Sequence, residues 1–276
     1  MDNVVDVIYR VDFDCQMEGR ILMGKIIGLM NETGGVGKSA LTFSCAWYLM
    51  ESGKKVLIVD MDGQQANITY LSGLQTDTAT KTMEDVLMKD VDPKDCCVNV
   101  ASSENGLLDM LPATIQMAGL PSTAKISKMK KAMKSLASKY DYVFLDVNPS
   151  PDWRHALVLS VLDKVYIVML LDVLSLEANK GIFESIEEVQ DSTNSNLEIG
   201  GIILNQTDLR TKLANAVLEK VKEMADFYHT DVCEGAFVRK AVAFAESVAA
   251  HQGITAYAAK SGVADDIRKL TEIIVR

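Results

Sequence analysis

The chain has 276 residues, and 48% of them are hydrophobic, which suits a single α/β domain with a substantial buried core. The formal net charge of -10 repels DNA and anionic lipid on average, so any nucleic-acid contact requires a local basic patch. The five cysteines are odd in number and contain no CxxC pair, which argues against a disulfide framework or a zinc site and favours a reducing cytoplasm.

The first residues, "MDNVVDVIYRVDFD", are acidic and alternating, unlike an export signal. No apolar run reaches the roughly 20 residues that a membrane span needs. We therefore expect a cytoplasmic protein with an N-terminal appendage at residues 1–22 and a single domain at residues 23–276.

Short apolar runs alternate with amphipathic helical stretches, a pattern typical of a parallel sheet covered by helices on both faces. The predicted strands are 25–31, 55–62, 107–113, 140–147, 164–171 and 200–207. The predicted helices include 38–52, 125–139, 175–190, 211–227 and 263–275. The expected fold is a doubly wound, mostly parallel α/β domain.

The first predicted strand leads into "NETGGVGKSAL", which contains a phosphate-binding loop. Glycines let backbone N–H groups approach phosphate oxygens, and the following helix adds a positive dipole. We expect Lys38 to bridge the β and γ phosphates and the Ser39 hydroxyl to bind Mg²⁺. The pattern GxxxxGK[ST] places glycine where this chain has Glu32, so a simple glycine turn before a helix is the alternative. The predicted loop residues are Gly34, Gly35, Val36, Gly37, Lys38, Ser39 and Ala40.

Three aspartates come at the ends of buried strands. Asp60 and Asp62 end "VLIVDMD", and Asp146 ends "YDYVFLD". Because ligands bind at the carboxyl ends of parallel strands, we expect these carboxylates to converge on the phosphates and their metal. Taken singly, each is equally well explained as a strand-end cap or turn residue.

Six motifs resemble those of the ParA/Soj partitioning ATPases of the MinD-like, deviant Walker A superfamily. In chain order they are "GGVGKS", "VLIVDMDGQ", "LLDMLPAT", "YDYVFLDVNPS", "GIILNQTDLRTKL" and "AFAESVAAHQGITAYAAKS". The resemblance covers residues 23–276 and implies a ParA-like P-loop domain that uses ATP and Mg²⁺. The "LPAT" motif and the last motif are more similar to ParA than to MinD.

The resemblance also implies roles for individual residues. Asp62, in switch I, positions the attacking water and acts with Lys38 in catalysis. Asp60 and Asp146 support the metal through its water shell. Asn205, at the end of "IILN", matches a position that recognises adenine.

At the level of function, the resemblance implies a slow ATPase that acts as a switch and positions a plasmid, a chromosome or another large cargo. Members of the family form ATP-dependent homodimers, bind DNA non-specifically at the nucleoid, and respond to a ParB-like or centromere-binding partner. No membrane partner is expected. The alternatives are a metabolic enzyme similar to dethiobiotin synthetase and a hydrolysis-deficient pseudo-ATPase scaffold.

The chain departs from the family motif KGGVGK[ST] at Thr33. The family's first lysine reaches across the dimer to the partner's nucleotide, much as an arginine finger does. Three interpretations follow: a slow or inactive switch, another cation acting in trans, or a dispensable trans contact, as in the ParA-like carboxysome-positioning ATPases. Arg154 is the first candidate for a substitute cation, and an ordinary solvated arginine is the alternative. Asn148 also departs, since the family usually has the first proline of DxPPS there.

The candidate DNA contacts are Arg239 and Lys240, because ParA-like proteins place basic residues before their "AE" helix. Ala243 departs from the lysine or arginine often found there, so DNA binding is expected to be weak. The lysine-rich helix at 125–139 is dense enough to contact phosphates, but a solvated helix face is the commoner explanation. The three histidines show no metal spacing and are interpreted as structural or surface residues: His155, His229 and His251.

Overall fold

The computed structural model describes residues 23–62, 67–76, 80–120, 126–149, 152–233 and 235–276. These residues form one sheet in the order β3-β4-β2-β5-β1-β6-β7, parallel except for β3, which pairs antiparallel with β4. The predicted doubly wound, mostly parallel sheet is confirmed. The strands are β1 (Lys25–Met30), β2 (Lys55–Asp60), β3 (Val98–Ser102), β4 (Leu107–Leu111), β5 (Tyr142–Asp146), β6 (Lys164–Met169) and β7 (Glu198–Leu204).

Helices cover both faces of the sheet because the central strands are apolar on both sides. Ile27 and Leu29 of β1 share one core with the first and last helices, whereas Ile26 and Met30 share the opposite core. The helices are α1 (Lys38–Glu51), α2 (Asn67–Leu71), α3 (Met83–Lys89), α4 (Ile126–Ala137), α5 (Trp153–Leu159), α6 (Val173–Ala178), α7 (Lys180–Ser192), α8 (Lys212–Phe227), α9 (Val242–Ala249), α10 (Ile254–Tyr257) and α11 (Gly262–Ile274).

Two sequence predictions need correction. The antiparallel edge strand β3 was not predicted, because it is only partly buried and is interrupted by an irregularity between Asn99 and Ala101. The helix predicted at 175–190 is in fact two helices, α6 and α7, which meet at Asn179. The Asn179 side chain donates to the Ser175 carbonyl oxygen at 2.6 Å, a side-chain bond of the kind that competes with regular helix.

The predicted appendage at 1–22 lies outside the described residues, as does Lys125, the first residue of the predicted lysine-rich helix. None of the helices in the described ranges combines the length and apolar character that crossing a bilayer requires.

Candidate nucleotide-binding site

The predicted phosphate loop connects β1 to α1 at the carboxyl edge of the sheet. Gly35 and Gly37 have φ angles of 78° and 87°, a region that favours glycine. A Cβ atom on Gly37 would also lie 2.6 Å from the Asn205 Nδ2 atom, so a side chain there would collide with the support of the loop. Gly37 caps α1 without any side-chain hydrogen bond to the first turn. The N-terminal N–H groups of a 14-residue helix are therefore available to bind an anion.

The Asn31 side chain holds the start of the phosphate loop in place through hydrogen bonds. Its buried Nδ2 donates to the Val168 carbonyl oxygen at 2.6 Å and to Asn179 Oδ1 at 3.1 Å, while its Oδ1 accepts the Thr33 N–H. The loop is thus attached to β6 and to the break between α6 and α7. Neither Asn31 nor Asn179 was predicted as a site residue, because an asparagine beside a glycine-rich loop also fits an ordinary turn.

Asn205, predicted to recognise adenine, lies under the middle of the loop. Its Nδ2 donates to the Val36 carbonyl oxygen at 2.7 Å, and its Oδ1 accepts the Gln206 N–H at 2.9 Å. The residue is 2% exposed. In this structure Asn205 is a support of the loop, and adenine recognition by it remains a prediction.

Lys38 is buried at the start of α1, and among the described residues its Nζ makes one long hydrogen bond, 3.5 Å to the Asn31 carbonyl oxygen. Burial lowers the pKa of Lys38, and the nearby carboxylates of Asp146 and Asp62 oppose that shift. A buried ammonium group with so weak a contact is suited to a strongly charged ligand such as a phosphate.

Ser39 and Asp146 form the part of the site that fits a metal ion. The Ser39 hydroxyl donates to Asp146 Oδ2 at 2.7 Å, whereas Oδ1 of the same carboxylate is buried without a partner among the described residues. Burial raises the pKa of Asp146 to about 7, against the effects of Ser39 and Lys38. Since Mg²⁺ prefers oxygen ligands and favours an ionised carboxylate, this donor set fits Mg²⁺ held directly or through its water shell.

Asp60 is tied into the protein by both carboxylate oxygens. Oδ1 accepts the Asp62 N–H at 2.8 Å, and Oδ2 accepts the Thr69 hydroxyl of α2 at 2.6 Å. Complete burial raises the pKa of Asp60 well above its usual value. Asp60 therefore links the loop after β2 to α2, and Thr69 is a partner that the sequence did not indicate.

Two adjoining cavities lie over the loop. The first, of about 410 Å³, is lined by the loop, by Asp62 and by residues that follow β5. The second, of about 340 Å³, lies between Asn205 and α9 and has Phe244 and Val248 on its apolar side. Val248 lines both, so the two cavities together are arranged for a ligand with a phosphate chain and an apolar ring.

The interpretation of Arg154 as a solvated arginine is wrong. The side chain is 2% exposed, and its Nε and Nη2 bind both carboxylate oxygens of Asp152, the shortest contact being 2.6 Å. The guanidinium is therefore paired within its own chain. Acting in trans would require Arg154 to leave Asp152 and its buried position.

The candidate DNA contacts differ from each other. Arg239 binds both oxygens of the buried Asp266 carboxylate at 2.6 and 2.8 Å, so its charge is largely compensated. Lys240 is exposed and is the better candidate contact. On the lysine-rich α4, Lys130, Lys131 and Lys134 are exposed, which agrees with a solvated face. Lys128 pairs with Asp90 at 2.7 Å, and Lys130 also donates to a carbonyl oxygen.

Comparison with known proteins places these features in a family. A family profile described as an AAA domain matches residues 24–199. The sporulation initiation inhibitor protein Soj of Bacillus subtilis is 34% identical over 206 residues, which cover 73% of this chain and 80% of Soj. The chromosome partitioning protein ParA of Myxococcus xanthus is 28% identical over 209 residues, which cover 74% of this chain and 72% of that protein.

Among solved structures, a cobyrinic acid a,c-diamide synthase from Mycobacterium smegmatis with bound ADP and magnesium has a similar fold. The TM-score is 0.73 at 25% identity, and the match covers 91% of this chain and 93% of the synthase.

Proposed function

The chain belongs to the ParA/MinD-type P-loop ATPases, and from this membership we propose that it is a ParA-type switch that binds ATP and Mg²⁺ to position a large cargo. The observation that carries the proposal is the preset phosphate loop, in which Lys38 and Ser39 line one cavity and the Ser39 hydroxyl is bonded to the Asp146 carboxylate. The proposed cargo is DNA, because the ParA relative is named as a chromosome partitioning protein.

Each site residue has a defined task in this proposal. Lys38 offers its charge to the β and γ phosphates, Ser39 and Asp146 hold the metal, and Asp60 keeps the loop after β2 in place. Mg²⁺, when bound, neutralises charge on the phosphates. Asp62, 4% exposed at the edge of the phosphate cavity, orients the attacking water.

The proposed switch acts by controlling whether the protein assembles with itself, with DNA and with a partner protein. ATP promotes a homodimer, the dimer binds DNA weakly at the nucleoid, and a ParB-like or centromere-binding partner stimulates hydrolysis. The exposed Lys240, which lines the second cavity, supports the DNA contact, while the net charge of -10 keeps DNA binding weak. DNA retention should therefore require ATP and fall steeply as salt is raised.

Thr33 makes hydrolysis slow. Its hydroxyl oxygen is buried with no partner among the described residues, and its N–H is bonded to Asn31. A neutral hydroxyl cannot supply the charge that the family's lysine brings to a partner's nucleotide.

A second candidate is an ATP-dependent metabolic enzyme, favoured by the synthase among the solved structures. Such an enzyme would turn ATP over rapidly with a small-molecule acid, whereas the switch would respond to DNA and a partner protein. ATPase assays with cobyrinic acid, with dethiobiotin precursors and with DNA separate the two candidates.

The experiment that tests the switch is sedimentation velocity of the wild type and of Asp62→Ala with ADP or ATP, each with Mg²⁺. We expect monomers with ADP, a dimer fraction with ATP, and a larger, longer-lived dimer fraction for Asp62→Ala, because that variant loses water positioning but keeps ATP binding. Monomers under all conditions would refute the switch.

A further inference from the structure

Asn148 carries a buried amide that nothing in the described part of the chain satisfies. The residue is 2% exposed, and neither its Nδ2 nor its Oδ1 has a hydrogen-bond partner there. Leaving a buried amide unpaired is costly, and most buried side-chain polar atoms in folded proteins have partners. A ligand bound beside this amide could therefore supply the partner that the described residues do not.

The backbone of Asn148 is firmly held, in contrast to its side chain. The buried His155 ring on α5 places Nε2 2.7 Å from the Asn148 carbonyl oxygen. Two residues earlier, the Asp146 carbonyl oxygen accepts the Met61 N–H at 2.7 Å, which ties the end of β5 to the chain after β2. The amide is thus mounted on a rigid segment, as a group that binds a ligand needs to be.

Asn148 belongs to the lining of the proposed nucleotide site. It lines the 410 Å³ cavity together with Lys38, Ser39 and Asp62, the residues assigned above to the triphosphate, the metal and the attacking water. An amide offers a donor and an acceptor on one side chain, which matches a phosphate oxygen and a water next to each other. A side-chain amide that orients the attacking water recurs in phosphoryl transfer.

We propose that Asn148 binds the terminal phosphate of ATP, its Nδ2 donating to a γ-phosphate oxygen and its Oδ1 accepting from the attacking water. The proposal rests on the ATP-dependent function above. In hydrolysis the water oxygen forms a bond to the γ phosphorus while the bond to the β–γ bridging oxygen breaks. ADP keeps that electron pair, and the water's proton passes to the released phosphate. Proline, which is usual at this position in the family, has no side-chain amide.

The test compares Asn148→Ala and the isosteric Asn148→Asp with the wild type, and uses Asn196→Ala, at an exposed asparagine, as a matched control. Calorimetry gives the affinities for ADP and for ATP, each with Mg²⁺, and single-turnover assays with protein in excess give the rate of hydrolysis. Thermal melting of each variant reports on folding.

We expect both Asn148 variants to keep the wild-type affinity for ADP, which has no γ phosphate. Asn148→Ala should bind ATP about tenfold more weakly, the value of one lost hydrogen bond to a charged group. Its single-turnover rate should fall about 100-fold, as when one transition-state donor is removed. Asn148→Asp should bind ATP more weakly still, because it places a carboxylate against the phosphate.

If both variants lose affinity for ATP and for ADP to the same extent, the substitutions damage the structure of the site, and the proposal is overturned. Unchanged ATP affinity and rate in both variants, with a wild type that binds ATP, would also overturn it while leaving the proposed function intact. A wild-type chain that does not bind ATP would refute the proposed function itself, and the role of Asn148 with it.

Discussion

The side chains of Asn31 and Asn179 meet at 3.1 Å beneath the phosphate loop, although 148 residues separate them in the chain. Asn179 Oδ1 also lies 3.4 Å from the Glu32 nitrogen, and the same residue marks the break between α6 and α7. The loop is therefore positioned by a helix boundary after β6 as well as by its own glycines. This arrangement couples the phosphate site to the segment that follows the neighbouring strand.

Asn179→Ala tests that coupling. The substitution leaves the buried Asn31 amide with one partner fewer, so we expect the free energy of unfolding in urea to fall by about 1–3 kcal/mol. ATP affinity should fall as well, since the loop loses its support. Asn196→Ala, at an exposed site, is the control. If Asn179→Ala has the same free energy of unfolding and the same ATP affinity as the control, the glycines alone determine the conformation of the loop.

The replacement of the family's lysine gives a second prediction. Thr33→Lys should raise ATPase activity only at protein concentrations where dimers form, because the added cation acts on the partner's nucleotide. An arginine finger contributes about 10³ to 10⁵ in rate, and a flexible lysine should give far less. A turnover series over protein concentration measures the effect.

Arg154→Ala is the companion variant. Its guanidinium is buried and bound to Asp152, so we expect a loss of stability rather than a concentration-dependent loss of turnover. If Arg154→Ala lowers turnover only where dimers form, Arg154 supplies the trans charge after all. If Thr33→Lys has no effect at any concentration, hydrolysis does not depend on a trans cation.

The sequence predicted the elements and residues that carry local signals. Continuous apolar runs predicted six of the strands, and the glycine pattern predicted the phosphate loop, because backbone geometry and burial leave periodic traces. The convergence of Asp62 and Lys38 on one cavity followed from the rule that parallel strands present their carboxyl ends together.

Contacts between polar residues that are distant in the chain could not be predicted from the sequence. Asn31, Asn179 and Thr69 each satisfy a partner far away in the chain or in another element, and single asparagines and threonines are common in turns. Arg154 was misinterpreted for a different reason: its partner, Asp152, is only two residues away, but the burial of Arg154 depends on the packing of α5. Side-chain pairing of this kind appears only once the elements are packed.

His155 provides a prediction for pH dependence. Burial lowers its pKa below the usual 6.5, so the unfolded chain takes up a proton more readily than the native protein. Its contribution to stability is complete above about pH 6.5 and is lost as the pH falls below that value. Urea unfolding of wild type and His155→Gln at several pH values measures the effect.

The slope of stability against pH below 6.5 should be smaller in His155→Gln than in the wild type. His229→Asn, at an exposed position with a φ angle of 52°, should keep the wild-type slope. Equal slopes in the wild type and His155→Gln would mean that His155 does not control the acid sensitivity of the fold.

The most direct measurement is ATP titration, with Mg²⁺, of the wild type, Lys38→Ala and the control Lys131→Ala, which changes an exposed lysine on α4. We predict that the wild type and Lys131→Ala bind ATP alike and that Lys38→Ala binds ATP about 100-fold more weakly, because it loses a charged hydrogen-bond donor to the phosphates. Equal ATP affinity of Lys38→Ala and the wild type, with both proteins folded, would contradict the assignment of this loop as the nucleotide site.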